Sequence, residues 1–384
     1  MNLTITLSRS RLYRIAVSGF FFIAGITFAT WASRIPDIKT SLQLSDAALG
    51  GVLLALPLGL MMSLPISGWL ITKYGSRKML ITGALFYPFL LLVLGIAATL
   101  WQLIGGLFLF GLLANLINIA MNTQAVAVEK SYGKSIMASF HGLWSLAGFS
   151  GAAIGSVLVS NNVSPFMHFT FIWLLTILLV LVFQKYTVAQ DDAATNAAPL
   201  FVKPDAYILK LGLIAFCCML CEGAMADWSG VYFQNVVAAP KALTTMGFVA
   251  FTGAMASGRF LADGLATKFG MKNILRFSGG LITTGLALAV LFPYLLTTTI
   301  GFLMVGLGVS SVVPFIYSLA AKSKTMSPGL ALAAVSSVSF LGFLIGPPLI
   351  GFIAQAINLR GSFAVVALMG LCIVALTGKI KNES

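Results

Sequence analysis

The chain has 384 residues, 59% of them hydrophobic and 9% charged, with a mean hydropathy of +1.00. A soluble fold carries about 25% charged residues, so this composition excludes a globular soluble enzyme. The net charge of +13 is spread between apolar runs rather than gathered in one patch. That spread points to a membrane topology signal and away from nucleic acid.

A membrane-crossing helix needs roughly 20 apolar residues. The apolar run after Arg14 extends to Trp31, too long for the core of a cleavable leader, and is read as the first span. Taking apolar runs against their punctuation predicts spans at about 12–34, 46–71, 79–100, 102–128, 135–160 and 165–184. Six more follow, at about 208–234, 243–266, 274–293, 298–322, 329–356 and 359–378. The long polar connection between the two sets divides the chain into a bundle at 1–184, a linker at 185–207 and a second bundle at 208–384. Eighteen Lys and Arg residues flank the spans on the side of the termini and linker, and four (Arg34, Lys39, Lys241, Arg360) on the other. Basic residues collect in cytoplasmic loops, so both termini and the linker are expected in the cytoplasm. The four cysteines, Cys217, Cys218, Cys221 and Cys372, include a Cys218-x-x-Cys221 spacing inside a span with no second ligand pair. They are read as small packing residues.

The halves repeat. Gly68-Trp69-Leu70-Ile71-Thr72-Lys73-Tyr74-Gly75-Ser76-Arg77 follows span 2, and Asp263-Gly264-Leu265-Ala266-Thr267-Lys268-Phe269-Gly270-Met271-Lys272 follows span 8, at an offset of 195. Trp31 and Trp228 match at 197, and Ser145-Leu146-Ala147-Gly148-Phe149 matches Ser339-Phe340-Leu341-Gly342-Phe343 at 194. With its 6+6 spans, central linker and G-x-L-x-x-K-x-G-x-R loop, the chain resembles the major facilitator superfamily. Trp31-Ala32-Ser33-Arg34, His141-Gly142-Leu143-Trp144, Glu222-Gly223-Ala224, Asp227-Trp228, Gly258-Arg259-Phe260 and Gly346-Pro347-Pro348 are similar to its YbjJ-like bacterial inner-membrane branch. The resemblance implies an all-α protein of twelve transmembrane helices in two parallel six-helix repeats, working as a transporter. It also implies gating roles for the loop residues Thr72, Lys73, Arg77 and Lys268. Thr72 stands where the superfamily usually has Asp, and Asn118 where the branch often has an acid, so neither charge is available here.

An ionisable group in hydrocarbon is costly and is a functional candidate by default. Glu222 falls near the middle of span 7 and suits reversible protonation, against the alternative of a neutral, hydrogen-bonded acid. Asp227 is five residues on, about 140° around an ideal helix, and His141 lies in the inner third of span 5. These three are the proton-coupling candidates. Arg259 and Asp263 are spaced four apart for an ion pair at the cytoplasmic end of span 8 and are read as a gate. Arg34 closes span 1 and is expected to snorkel into water. Asn115, Asn118 and Asn122 share a helical face of span 4, with Gln124 near its edge. With Trp31 and Trp228 they are the substrate-binding candidates; the alternatives are helix pairing for the amides and interface anchoring for the tryptophans. Gly346-Pro347-Pro348 interrupts span 11 and suits a hinge.

No Walker loop, zinc ligand set or nucleophile–base pair is present, so neither an enzyme nor a cofactor is expected. The reading is a monomeric secondary transporter in the inner membrane, moving a small solute with a proton. Amides, acids and tryptophan with little fixed positive charge suit a neutral, hydroxylated, sugar-like solute, in symport. A proton-driven exporter of lipophilic or cationic compounds and a non-transporting membrane receptor are the alternatives.

Overall fold

The computed structural model describes residues 9–132, 136–189, 204–323 and 325–380. The central linker between 190 and 203 lies outside the described residues. In chain order the helices are α1 (Arg9–Ala32), α2 (Ile35–Ser41), α3 (Asp46–Leu53), α4 (Ala55–Tyr74), α5 (Ser76–Gly95), α6 (Leu100–Tyr132), α7 (Met137–Ser160) and α8 (Pro165–Phe183). A short 3-10 turn, Gln184–Tyr186, closes the first half. After the linker come α9 (Ala206–Asn235), α10 (Met246–Phe269), α11 (Met271–Leu291), α12 (Leu295–Ala321), α13 (Pro328–Ala356) and α14 (Leu359–Gly378).

Polar residues between the apolar runs set the helix ends. Ser164 accepts from the Met167 N–H with Pro165 in the first turn of α8, and the Asp205 carboxylate accepts from Tyr207 and Ile208 at 2.8 Å each to start α9. Both satisfy donors that a helix start leaves without partners. Gly75 and Gly270, 195 residues apart, have φ of +84° and +79°. Only glycine turns this corner without a Cβ penalty, and it lets α5 and α11 follow α4 and α10 with a single residue between.

Two predicted elements differ. The span expected at about 46–71 is broken at Leu54 into α3 and α4, because Pro57 has no N–H to give the carbonyl of Leu53. The stretch after Arg34, expected as a loop, contains α2, with Pro36 in its first turn, where proline costs no hydrogen bond.

Eleven segments among the described residues are long and apolar enough to cross a membrane. α10 takes the place of the expected eighth span and carries Arg259 midway along. Many side chains on these helices, such as Met62, Phe86, Phe171, Leu178 and Phe277, are apolar and exposed, as a lipid-facing surface requires.

Contacts sort the chain into two compact units. One comprises Met1–Trp31, Ala55–Gly151 and Ser164–Ala197; the other comprises Ala32–Leu54, Ala152–Val163 and Ala198–Ser384. In the first, Gly59 of α4 lies on the Phe108 carbonyl and Gly111 of α6 on the Leu56 carbonyl, so the two helices cross backbone to backbone, as small residues permit in lipid. In the second, Gly285 of α11 and Gly301 of α12 do the same. Its aromatic core joins Tyr232, Phe302 and Phe363, with ring centroids 4.4 Å apart for Tyr232 and Phe363. The Tyr232 hydroxyl donates to the Ala289 carbonyl at 2.9 Å.

Candidate functional site

The second unit holds the charged groups. Glu222 stands midway along α9, and Arg259 of α10 brings Nη2 within 3.9 Å of its Oε1. The Glu222 and Arg259 side chains are 13% and 21% exposed, so this is a loose ion pair with partial access rather than a sealed one. The sequence reading paired Arg259 with Asp263 at the cytoplasmic end of the helix. Arg259 stands mid-helix with Glu222 in reach; its expected pairing with Asp263 falls on a side chain that lies outside the described residues. A mid-span guanidinium needs a counter-charge, a rule that could have found this pair. It also puts a fixed positive charge within reach of Glu222, which the sequence reading did not anticipate.

Asp227 is half-buried, and among the described residues no hydrogen bond or ion pair engages it. Trp228 beside it is fully buried with its indole N–H unpartnered among the described residues, as is the repeat-related Trp31 in the first unit. Tyr317 of α12 accepts a 3.0 Å hydrogen bond from Ser336 of α13, a polar contact the sequence did not single out. Cys218 and Cys221 are buried with Sγ on the carbonyls of Val309 and Val366 at 3.7 and 3.8 Å, in keeping with their reading as packing residues.

The first unit carries neutral groups. Asn118 is exposed at mid-helix on α6, and the Asn122 amide donates to its carbonyl at 2.8 Å and to its Oδ1 at 3.1 Å. Asn115, one turn away on that side, is buried with its Nδ2 unpartnered. On α7, His141 is exposed and meets the Phe21 ring edge-on at 5.2 Å, and Trp144 stacks with Phe28 at 6.5 Å. Gln124 is fully buried and bonds to Ser76 and to the main chain of Val188. It stands two residues, about 200°, from Asn122, so it leaves the stripe.

A third cluster lies at the start of the second unit. Arg34 is 1% exposed and pairs with Asp37 at 2.7 Å. It does not snorkel: it is the residue that opens α2, and its guanidinium donates to Asp37 of that helix. Lys39 pairs with Asp46 at 2.9 Å, Gln234 donates to Thr40 at 3.1 Å, and Lys241 donates to Asn162 at 2.9 Å. A Cβ on Gly50 of α3 would meet the Pro347 carbonyl at 2.7 Å, and one on Gly351 of α13 would meet the Asp46 carbonyl at 2.5 Å. The backbones of α3 and α13 therefore touch at two glycines beside Pro347-Pro348.

The loop residues are occupied locally. Thr72 donates back to the Gly68 carbonyl at 2.9 Å. Lys73 lies over the rings of Trp69 and Tyr74 at 4.7 and 5.2 Å, and Lys268 over Phe269 at 5.2 Å. Arg77 donates to the Gln184 carbonyl at 3.3 Å.

Long apolar helices in repeated sets, with ionisable and amide groups held mid-span, define a polytopic membrane transporter. The model of the Major Facilitator Superfamily matches residues 16–328, and the chain belongs to that family. An uncharacterized MFS-type transporter of Yersinia pestis is 33% identical over 355 residues, 92% of each chain. Membrane protein MosC of Rhizobium meliloti is 31% identical over 360 residues, 93% of this chain and 88% of the relative. Among solved structures, a bacterial homolog of the human lysosomal transporter Spinster superposes with a TM-score of 0.79 at 13% identity, covering 97% of both chains. The nucleoside transporter NupG gives 0.74 at 13% identity, covering 96% of this chain and all of that one. At such identity these two show the fold alone. Family and relatives place the chain among transporters of small molecules, not enzymes.

Proposed function

We propose that this protein is a monomeric, proton-coupled secondary transporter of the inner membrane, with both termini and the linker cytoplasmic and with bundles at 1–184 and 208–384. It moves a small hydroxylated, sugar-like solute by alternating access. The Glu222–Arg259 pair carries the proposal. A proton on Glu222 removes its charge and releases Arg259, whose N–H groups then donate to solute hydroxyls; loss of the proton restores the ion pair and expels the solute. A pair with its N···O at 3.9 Å and both side chains partly exposed exchanges partners far more readily than a sealed bidentate one. Asn118, Asn122, His141 and Trp144 offer amide, imidazole and ring surfaces of the kind that bind sugars. The α2–α3 contacts with α9 and α13 are the closed outer gate in this reading.

Asp227, an acid with no ion-pair partner among the described residues, favours a second reading as an exporter of cationic compounds. Proteoliposomes holding a pH-sensitive dye separate the two. Monosaccharides, polyols and cyclitols are added outside in turn, and ethidium is tested as an efflux substrate. Proton entry with a hydroxylated solute supports symport, ethidium efflux supports the second reading, and no proton movement with any solute rejects proton coupling.

A further inference from the structure

In both halves, the basic residue after the turn glycine holds the end of that half's last helix. Arg77 donates to the Gln184 carbonyl at 3.3 Å, just past α8, and Lys272 donates to the Ile380 carbonyl at 2.7 Å, just past α14. The donors are 195 residues apart and the acceptors 196, so the repeat extends to this contact. Cations belong at such helix C-termini, where carbonyls lack partners.

The first half adds something the second lacks. Gln124 Nε2 donates to Ser76 Oγ at 2.7 Å and to the Val188 carbonyl at 3.0 Å, and Gln124 Oε1 accepts from the Val188 N–H at 2.8 Å. Gln124 is 0% exposed and Thr187 3%. At an offset of 195 the second half has Leu319 and Met271 in place of Gln124 and Ser76. The amide thus grips the main chain of Val188 at both its N–H and its carbonyl, and ties it to the first residue of α5. Any turn of α6 about its axis breaks three hydrogen bonds of one buried amide, which is costly because those groups have no water to replace them.

We propose that Gln124 is a positioning residue, and that Thr187–Val188 is a strap across the end of the first bundle that fixes the rotation of α6. Held this way, α6 turns Asn118 and Asn122 outward on the side opposite Gln124. The inference rests on the reading of those two amides as solute contacts, but its test needs no solute.

The test uses the full chain carrying Cys372→Ser, since Cys372 is the exposed native thiol among the described residues. Thr187→Cys on that background is expected to react slowly with a maleimide. Adding Gln124→Leu, which keeps size and removes all three bonds, should raise the rate roughly tenfold, as expected for a segment released to local opening. Gln124→Glu keeps the acceptor for the Val188 N–H and should fall between. Should Gln124→Leu fail to fold, Val188→Pro removes that N–H alone, and Thr187 at φ −92°, ψ 152° already suits a residue before proline. Unchanged labelling in Gln124→Leu, or in Val188→Pro where only that variant folds, overturns the strap. Rotation is read from Asn118→Cys, which should label several-fold more slowly when Gln124→Leu is added. If the strap opens and this rate holds, Gln124 anchors the chain but does not position α6. If both rates shift while no solute moves protons, the strap stands and the proton-coupled reading fails.

Discussion

The pair on α9 and α10 and the stripe on α6 place polar groups inside membrane spans in opposite ways. Glu222 and Arg259 offset opposite charges across two helices. Asn118 and Asn122 are neutral, bond mainly to their own helix and leave their outer face open. A group that changes charge can couple a proton to movement, whereas one that cannot offers only contact. In the proposed function, coupling is the role of the Glu222–Arg259 pair and solute contact that of the amides.

Removing Arg259 should break that contrast most. At 3.9 Å the attraction is about 4 kcal/mol at an effective dielectric of 20, and without it Glu222 has lost this ion-pair partner. Arg259→Gln should lower pH-driven accumulation at least tenfold, with Arg259→Lys recovering most of it; equal accumulation in Arg259→Gln contradicts the pairing. Next in size is Gly351→Val, which puts a branched side chain where even a Cβ would sit 2.9 Å from Gly50 Cα. Closure of α3 on α13 should fail, so that Leu53→Cys, buried in the parent fold, becomes reactive to an impermeant maleimide applied from outside. Protection equal to the parent's removes the gate.

Asn118→Leu keeps the ion pair and deletes one solute contact. It should raise KM by roughly tenfold, the loss of about one hydrogen bond to a polar solute, and leave the proton-to-solute ratio unchanged. A changed ratio would move coupling into the first unit. The smallest effect belongs to the start of α9. A hydrogen bond from Thr325, then the N–H groups of Ile208 and Tyr207, hold the Asp205 carboxyl below its ordinary pKa of 3.8. A depressed carboxylate stabilises the fold above its unfolded pKa and ceases to do so as pH falls through the folded one. Asp205→Ala should cost about 1 kcal/mol at neutral pH, seen as a lower Tm, and the gap to the parent should close below about pH 4.

Much of this was legible in the sequence because lipid imposes one rule: backbone groups must pair within a helix. Span positions follow from apolar length, the repeat from motifs that recur at one offset, and Glu222 stands out by the cost of a charge in a span. What was not legible depends on which helix neighbours which. Spacing along one helix could suggest Asp263 as a partner for Arg259 but could not show that Glu222, on another helix, also stands in reach. Arg34 carries no mark showing that Asp37 of the short α2 takes up its guanidinium. Gln124 looked like part of the asparagine stripe because periodicity gives a direction around the helix but not the neighbour met there, which is the main chain of Val188.

The central claim is that Glu222 carries the proton. Glu222→Gln keeps the shape of the protonated side chain, so in proteoliposomes it should still exchange labelled solute across the membrane at near the parent's rate. Accumulation driven by a pH gradient should be lost. Concentration of solute against its gradient at the parent's rate by Glu222→Gln contradicts the account and moves coupling to Asp227 or His141.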